Sequence, residues 1–222
     1  MGKMADATKA VAETGDKALD LVSGVGRLFK GSTEALIGCV EDKLKYVRWE
    51  RQQAFIEKGD ARMRAKGLFS PSRALPLPFS VPLLTAAILE EDDDLQEVWA
   101  RLLVNAGDAS TEMELRTAYV EILRGMSAFD VRNLAVMARA SLDFRGKVPV
   151  PILETWNLPN SAIALDQAAG TGQPLSESVE ISINNLDRLG CIAFASSTWG
   201  GRPIFAFATV TSLGIGLYRA CS

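Results

Sequence analysis

Histidine is absent from the 222-residue chain. That excludes Ser-His-Asp and Cys-His catalytic arrangements, imidazole metal ligands and the commonest pH switch. Cysteine is scarce: Cys39, Cys191 and Cys221 are widely spaced, odd in number and without a C-x-x-C pair. A zinc site would lack its thiolates and imidazoles, and no cofactor is expected. The three read as reduced, small apolar side chains suited to a reducing cytoplasm. Long apolar runs are lacking too. The longest uncharged stretches, 189–201 and 203–218, are separated only by Arg202. Each falls short of the ~20 apolar residues that carry a helix across a bilayer. The N-terminal MGKMADATKA has no secretory-type apolar run, and Asp6 stands where a myristoylation signal needs Ser or Thr.

What is present is an ordinary globular composition, 48% apolar and 23% charged, which can bury a sizeable core. The formal net charge is -3 and is unevenly spread. Residues 1–67 carry 13 bases and 10 acids, residues 68–126 carry 4 bases and 10 acids, and residues 127–222 carry 7 of each. No block has the cationic excess that binding to a phosphate backbone requires, so nucleic acid is not expected as a partner.

Periodicity divides the chain. Residues 1–31 are rich in Gly, Ala and Lys, and each interior glycine weakens a helix by roughly 1 kcal/mol. A long helix is expected from Ser32 to Lys66. Leu36, Ile37, Val40, Leu44 and Val47 share one face, Trp49, Ile56 and Met63 recur every seven residues, and Gly67 ends it. Pro71, Pro76, Pro78 and Pro82 predict an extended connector over 68–82. Helices are expected over 82–90, 92–106 and 111–126, the last opened by a Thr111–Glu114 capping box. Ser127 and Asp130 have the same spacing and predict a further helix through Leu142. Residues 143–175 read as loop, with one short helix around 161–169. Val179, Ile183, Leu186 and Leu189 predict a helix stopped by Gly190. CIAFASSTW and IFAFATVT then read as strands around a Gly200-Gly201 turn, before a closing helix capped by Thr211 or Ser212.

Few residues point to chemistry. The run Glu90, Glu91, Asp92, Asp93, Asp94 would supply oxygen ligands to a hard cation or dock a basic partner, yet it lacks the spacing of a calcium loop. The simpler reading puts these acids at a helix N-terminus, where free N–H groups favour negative charge by roughly 0.3–1 kcal/mol each. Gly24-Val25-Gly26 and Gly200-Gly201 match neither phosphate-loop pattern. The segment 42–51 interleaves Lys43, Lys45, Arg48 and Arg51 with Tyr46 and Trp49, as an anionic surface would require. The simpler and favoured reading is a long helix whose apolar stripe packs and whose charges pair at i,i+4, with Glu41 beside Lys45. In 176–222 three acids balance three bases, which favours packing or dimerisation over entry into a DNA groove.

Three segments carry a family resemblance: DKLKYVRWERQ (42–52), LPFSVPLLTAAILEEDDDLQEVWARLLVNAGD (77–108) and INNLDRLGCI (183–192) with the ending TSLGIGLYRACS. Together they resemble the DUF4393 family of bacteria, also called abortive infection alpha (Abi-alpha). The match is sharpest where the acid run meets Gln96, Trp99, Leu102, Leu103 and Asn105. The resemblance spans most of 32–222. It implies a cytoplasmic bacterial protein, of a kind carried on mobile elements, that acts in anti-phage defence by halting growth of the infected cell. No catalytic residues come with it.

The expected fold is mainly α. It comprises a flexible arm (1–31), a long amphipathic helix (32–67), a proline-rich connector (68–82), a central helical bundle (83–142), a loop-rich linker (143–175) and a small winged-helix-like α+β unit (176–222). The expected function is non-enzymatic defence by protein or membrane-surface contact. The alternatives are a winged-helix DNA-binding regulator and a metal-dependent nuclease using the 90–94 acids. Glu90, Glu91, Asp92, Asp93 and Asp94 are the candidate docking patch. Lys45, Arg48, Trp49, Arg51, Ile56 and Met63 are the candidate face for self-association or a membrane surface. The chain is expected to form a homo-oligomer in the cytoplasm. A protein partner or phage component, and peripheral contact of 1–31 with the inner membrane, stay open.

Overall fold

The computed structural model describes residues 49–144, 150–164, 175–194 and 206–222, with only the backbone of Trp49 and Glu50. The expected features at 1–48, 145–149, 165–174 and 195–205 lie outside the described residues. Among those described, the chain is mostly helical, with seven helices and a small antiparallel four-stranded sheet. It divides into two compact units at Thr117 and Ala118, inside the single bundle expected over 83–142.

The first unit holds α1 (Trp49–Ala65), α2 (Leu77–Leu89) and α3 (Asp93–Gly107). Its core gathers Phe55, Leu75, Phe79, Leu83, Ala87, Ile88, Leu95, Trp99 and Leu102. Helix α2 starts at Leu77, so the proline-rich connector ends at Pro76 instead of reaching 82. Pro78 sits in the first turn, where a missing N–H costs nothing because no helix acceptor faces it. Pro82 lies inside the helix and removes one bond. Burial of Phe79, Leu83, Leu84, Ala87 and Ile88 offsets that loss, since each large apolar side chain contributes about 1.5–3 kcal/mol. Helix α3 follows its sequence pattern: Asp92 caps it by accepting from the Leu95 N–H at 2.9 Å, and Leu95, Trp99 and Leu102 face inward.

The second unit begins with α4 (Thr117–Arg124) and α5 (Ala128–Asp143), then β1 (Leu153–Glu154) and β2 (Ile163–Ala164). It ends with α6 (Glu177–Arg188), β3 (Ile192–Phe194), β4 (Phe207–Val210) and α7 (Ser212–Ala220). Helix α4 starts six residues later than expected and the Thr111–Glu114 box does not form. Nearer acceptors take the hydroxyl: Thr111 Oγ1 donates to Asn105 O at 2.8 Å and Asp108 O at 2.7 Å, closing the end of α3. The Ser127–Asp130 box does form, with both reciprocal bonds made. Strands β1 and β2 replace the loop expected there, and Ile163–Ala164 is extended where a short helix was expected.

The sheet runs β2-β1-β4-β3, with Leu153 opposite Ala208 and Ile192 opposite Val210 on the buried side. Helix α5 packs on α6, α7 and this sheet. A polar seam accompanies the apolar one: Asn133 donates to Ser182 Oγ at 2.8 Å, and Asn185 donates to Asp130 at 3.0 Å and to Gly125 O at 2.8 Å. Gly190, at φ +72°, adopts the left-handed turn that stops α6. Gly214 lets α7 meet β3: a Cβ there would lie 2.1 Å from Cys191 O.

Candidate functional site

The most organised polar array is a ladder between α1 and α3. On α1, Arg51, Phe55, Lys58, Arg62 and the following Lys66 recur at spacings of four, three, four and four, so they share one face. Phe55 is its buried apolar member, 5% exposed. The cations reach along α3. Arg51 meets Asp93 at 2.6 Å, and Lys58 donates to Asp93 O at 2.9 Å, Asp93 Oδ1 at 3.3 Å and Gln96 Oε1 at 3.1 Å. Arg62 meets Glu97 at 2.6 Å, and Lys66 donates to Asn105 Oδ1 at 2.5 Å and lies 3.7 Å from Asp108. A part-exposed pair such as Arg62–Glu97 contributes on the order of 1 kcal/mol or less.

Gln96 is different because it is fully buried. Its Nε2 donates to Arg51 O at 3.1 Å and Ala87 O at 3.3 Å, so one side chain joins α1, α2 and α3. The ladder also sets the ionisation of its acids. The Lys58 hydrogen bond and charge, and then Arg51, hold the Asp93 carboxyl below the usual range. Hydrogen bonds from Ser110 do the same for Asp108, with Lys66 adding to them.

The connector after α1 is anchored on both sides of a short gap. Gly67 N donates to Arg64 O and Leu68 N to Met63 O, so both residues belong to the end of α1. Ser72 N and Arg73 N both donate to Gly107 O, and Arg73 Nε donates to Ala106 O at 2.8 Å, fixing that part to the end of α3. Phe69, Ser70 and Pro71 lie between, with no hydrogen bond to another described residue. Phe69 is 99% exposed. Over the 68–82 stretch Leu75 and Phe79 are buried, whereas Phe69 is not.

Four of the five acids of the run, Glu91 to Asp94, are exposed, and three of the five hold partners. Asp92 is the cap, Glu90 accepts from the Asp92 N–H at 3.0 Å, and Asp93 is taken by Arg51 and Lys58. Glu91 and Asp94 are exposed. Of the face expected around Trp49, Arg51 turns to α3, while Ile56 and Met63 are half-buried. Lys45, Arg48 and the Trp49 side chain lie outside the description. Trp99 and Asn105 sit in the core and at the end of α3.

Sequence reading missed Phe55, the exposed state of Phe69, and a half-buried cluster beside the sheet. There Trp156 Nε1 donates to Glu154 Oε2 at 2.9 Å and the Trp156 ring meets Phe207 edge-on at 5.1 Å. Among the described residues no three Cys, Asp or Glu groups converge as a metal site would require. The Cys191 thiol is pushed up to about 11 by burial, so little of it is the nucleophilic thiolate at neutral pH. No helix among the described residues is long and apolar enough to cross a membrane.

These features define a helical protein organised around internal charge pairing and an anchored connector. The abortive infection alpha family model matches residues 51–221, and the chain belongs to that family. The match opens at Arg51, the first rung of the ladder, and covers most of the span 32–222 over which the resemblance was expected. The chain matches no curated protein and no solved structure.

Proposed function

We propose that this abortive infection protein is non-enzymatic and works by contact, self-associating and engaging a protein or membrane surface in the infected cell. The family supplies the general role in phage defence. The observation that carries the contact mode is Phe69: a phenylalanine left 99% exposed on a connector tied down on both sides. Phenylalanine is among the residues most often buried, and full exposure at an anchored position suits an interface anchor. Leu77 and Leu89, 46% and 58% exposed, add apolar surface to the same unit. The test is a phage challenge of cells expressing the protein or its Phe69→Ser variant. Lost protection with an unchanged melting temperature supports the reading; full protection by the variant rejects Phe69 as the contact.

The second unit supports a second reading. Helix α6 followed by β3 and β4, with β3 and β1 flanking β4 and β2 beyond β1, supports a winged-helix reading. The outward residues of α6 include Glu177, Ser178, Ile181, Asn184 and Arg188, with Arg188 held by Asn185. Helix α6 carries Glu177, Glu180 and Asp187 against Arg188 alone, which opposes approach to phosphates, so a packing role is the better reading of a winged unit. Duplex DNA bound at physiological salt more tightly than by a neutral control protein would favour the regulator instead.

A further inference from the structure

The hinge and the ladder together describe an arm. Helix α1 with its cap through Leu68 is one piece, and Ser72 onward is another. Three residues without hydrogen bonds join them. The face that α1 turns to α3 is mostly cationic, and among the described side chains of α1 Phe55 is the one large apolar group that is fully buried.

Resting on the self-association reading, we propose that α1 is an exchangeable arm: two copies of this chain trade it, each docking its Arg51–Lys66 face on the other's α3. Complementarity selects a second copy as the occupant. The row from Asp93 through Gln96 and Glu97 to Asn105 and Asp108 matches the cations rung by rung, and a second chain presents the same row. Cis and trans docking thus make the same bonds, and the hinge decides between them. In the closed chain Phe69 stands in water; in an exchanged pair the two hinges run side by side and each Phe69 gains apolar neighbours.

The test uses the full chain with Cys39, Cys191 and Cys221 replaced by Ala, carrying Arg62→Cys and Glu97→Cys and treated with a short bismaleimide. Exchange gives a covalent dimer on a denaturing gel; a cross-linked species running as a monomer overturns it. A second arm guards against misfolding of that variant. One chain carries Arg51→Glu and Arg62→Glu, and another carries Asp93→Arg and Glu97→Arg. Each alone sets like charges against each other, whereas an exchanged heterodimer satisfies both ladders. Refolded together, they should give heterodimers in at least about tenfold excess over either homodimer by native mass spectrometry. A mixture without heterodimers, when the chain bearing all four substitutions folds, overturns the proposal. Dimers whose arms cross-link internally overturn exchange and leave self-association standing; monomers with internal cross-links overturn both.

Discussion

Replacing Gln96 with Leu removes the polar junction of three helices while nearly keeping its volume. Three bonds are lost: to Arg51 O, to Ala87 O and from Lys58. They are not equal. Arg51 O lies inside α1 and keeps its helix donor, and Lys58 keeps Asp93. Ala87 O lies in the last turn of α2, past the reach of helix donors, and is left buried without a partner. An orphaned buried acceptor costs about 1–3 kcal/mol, and added leucine burial returns only part of this. The expected loss is about 2 kcal/mol, or ~4–8 °C in melting temperature for a chain of this size. Gln96→Glu should cost more at pH 7, because it aims a carboxylate at two carbonyl oxygens. Thermal and urea unfolding followed by circular dichroism measure both. A Gln96→Leu variant within about 0.5 kcal/mol of the parent, the range of ordinary surface changes, would refute the junction.

Asp93→Asn should lower the melting temperature at pH 7, with the difference shrinking as pH falls below about 4. The folded-state pKa of Asp93 is depressed, so its contribution is complete above the unfolded value of about 4 and disappears as pH falls through the folded one. Raising salt at pH 7 should shrink the same difference; one that survives molar salt argues against an ionic rung. Ser127→Ala breaks the capping box of α5 and should cost about 1 kcal/mol in urea unfolding. Gly214→Ala forces its methyl onto Cys191 O and should destabilise by about 2 kcal/mol or more, whereas a neutral result would mean that α7 and β3 part without cost.

Local signals read well and distant ones did not. Ser127–Asp130, Gly190 and Thr211 act within a few residues of themselves, so their roles are legible in the chain. Thr111 has the same local pattern, but the carbonyls of Asn105 and Asp108 lie closer than the helix it was expected to start. The prolines of α2 were read as breakers because their burial partners sit on other elements. Strands of two residues carry no periodicity at all. For the candidate site, the acids and the bases were each visible as runs. Their pairing was not, because every rung joins residues 35 to 42 positions apart.

That separation fixes an order of events during synthesis. Helix α1 leaves the ribosome before any of its acceptors exist, and its low apolar content gives it little to hold a helix alone. It can settle only after Asp108 has emerged. The earlier-made element is therefore the later-folded one, waiting as a charged tail for the wall on which it will lie.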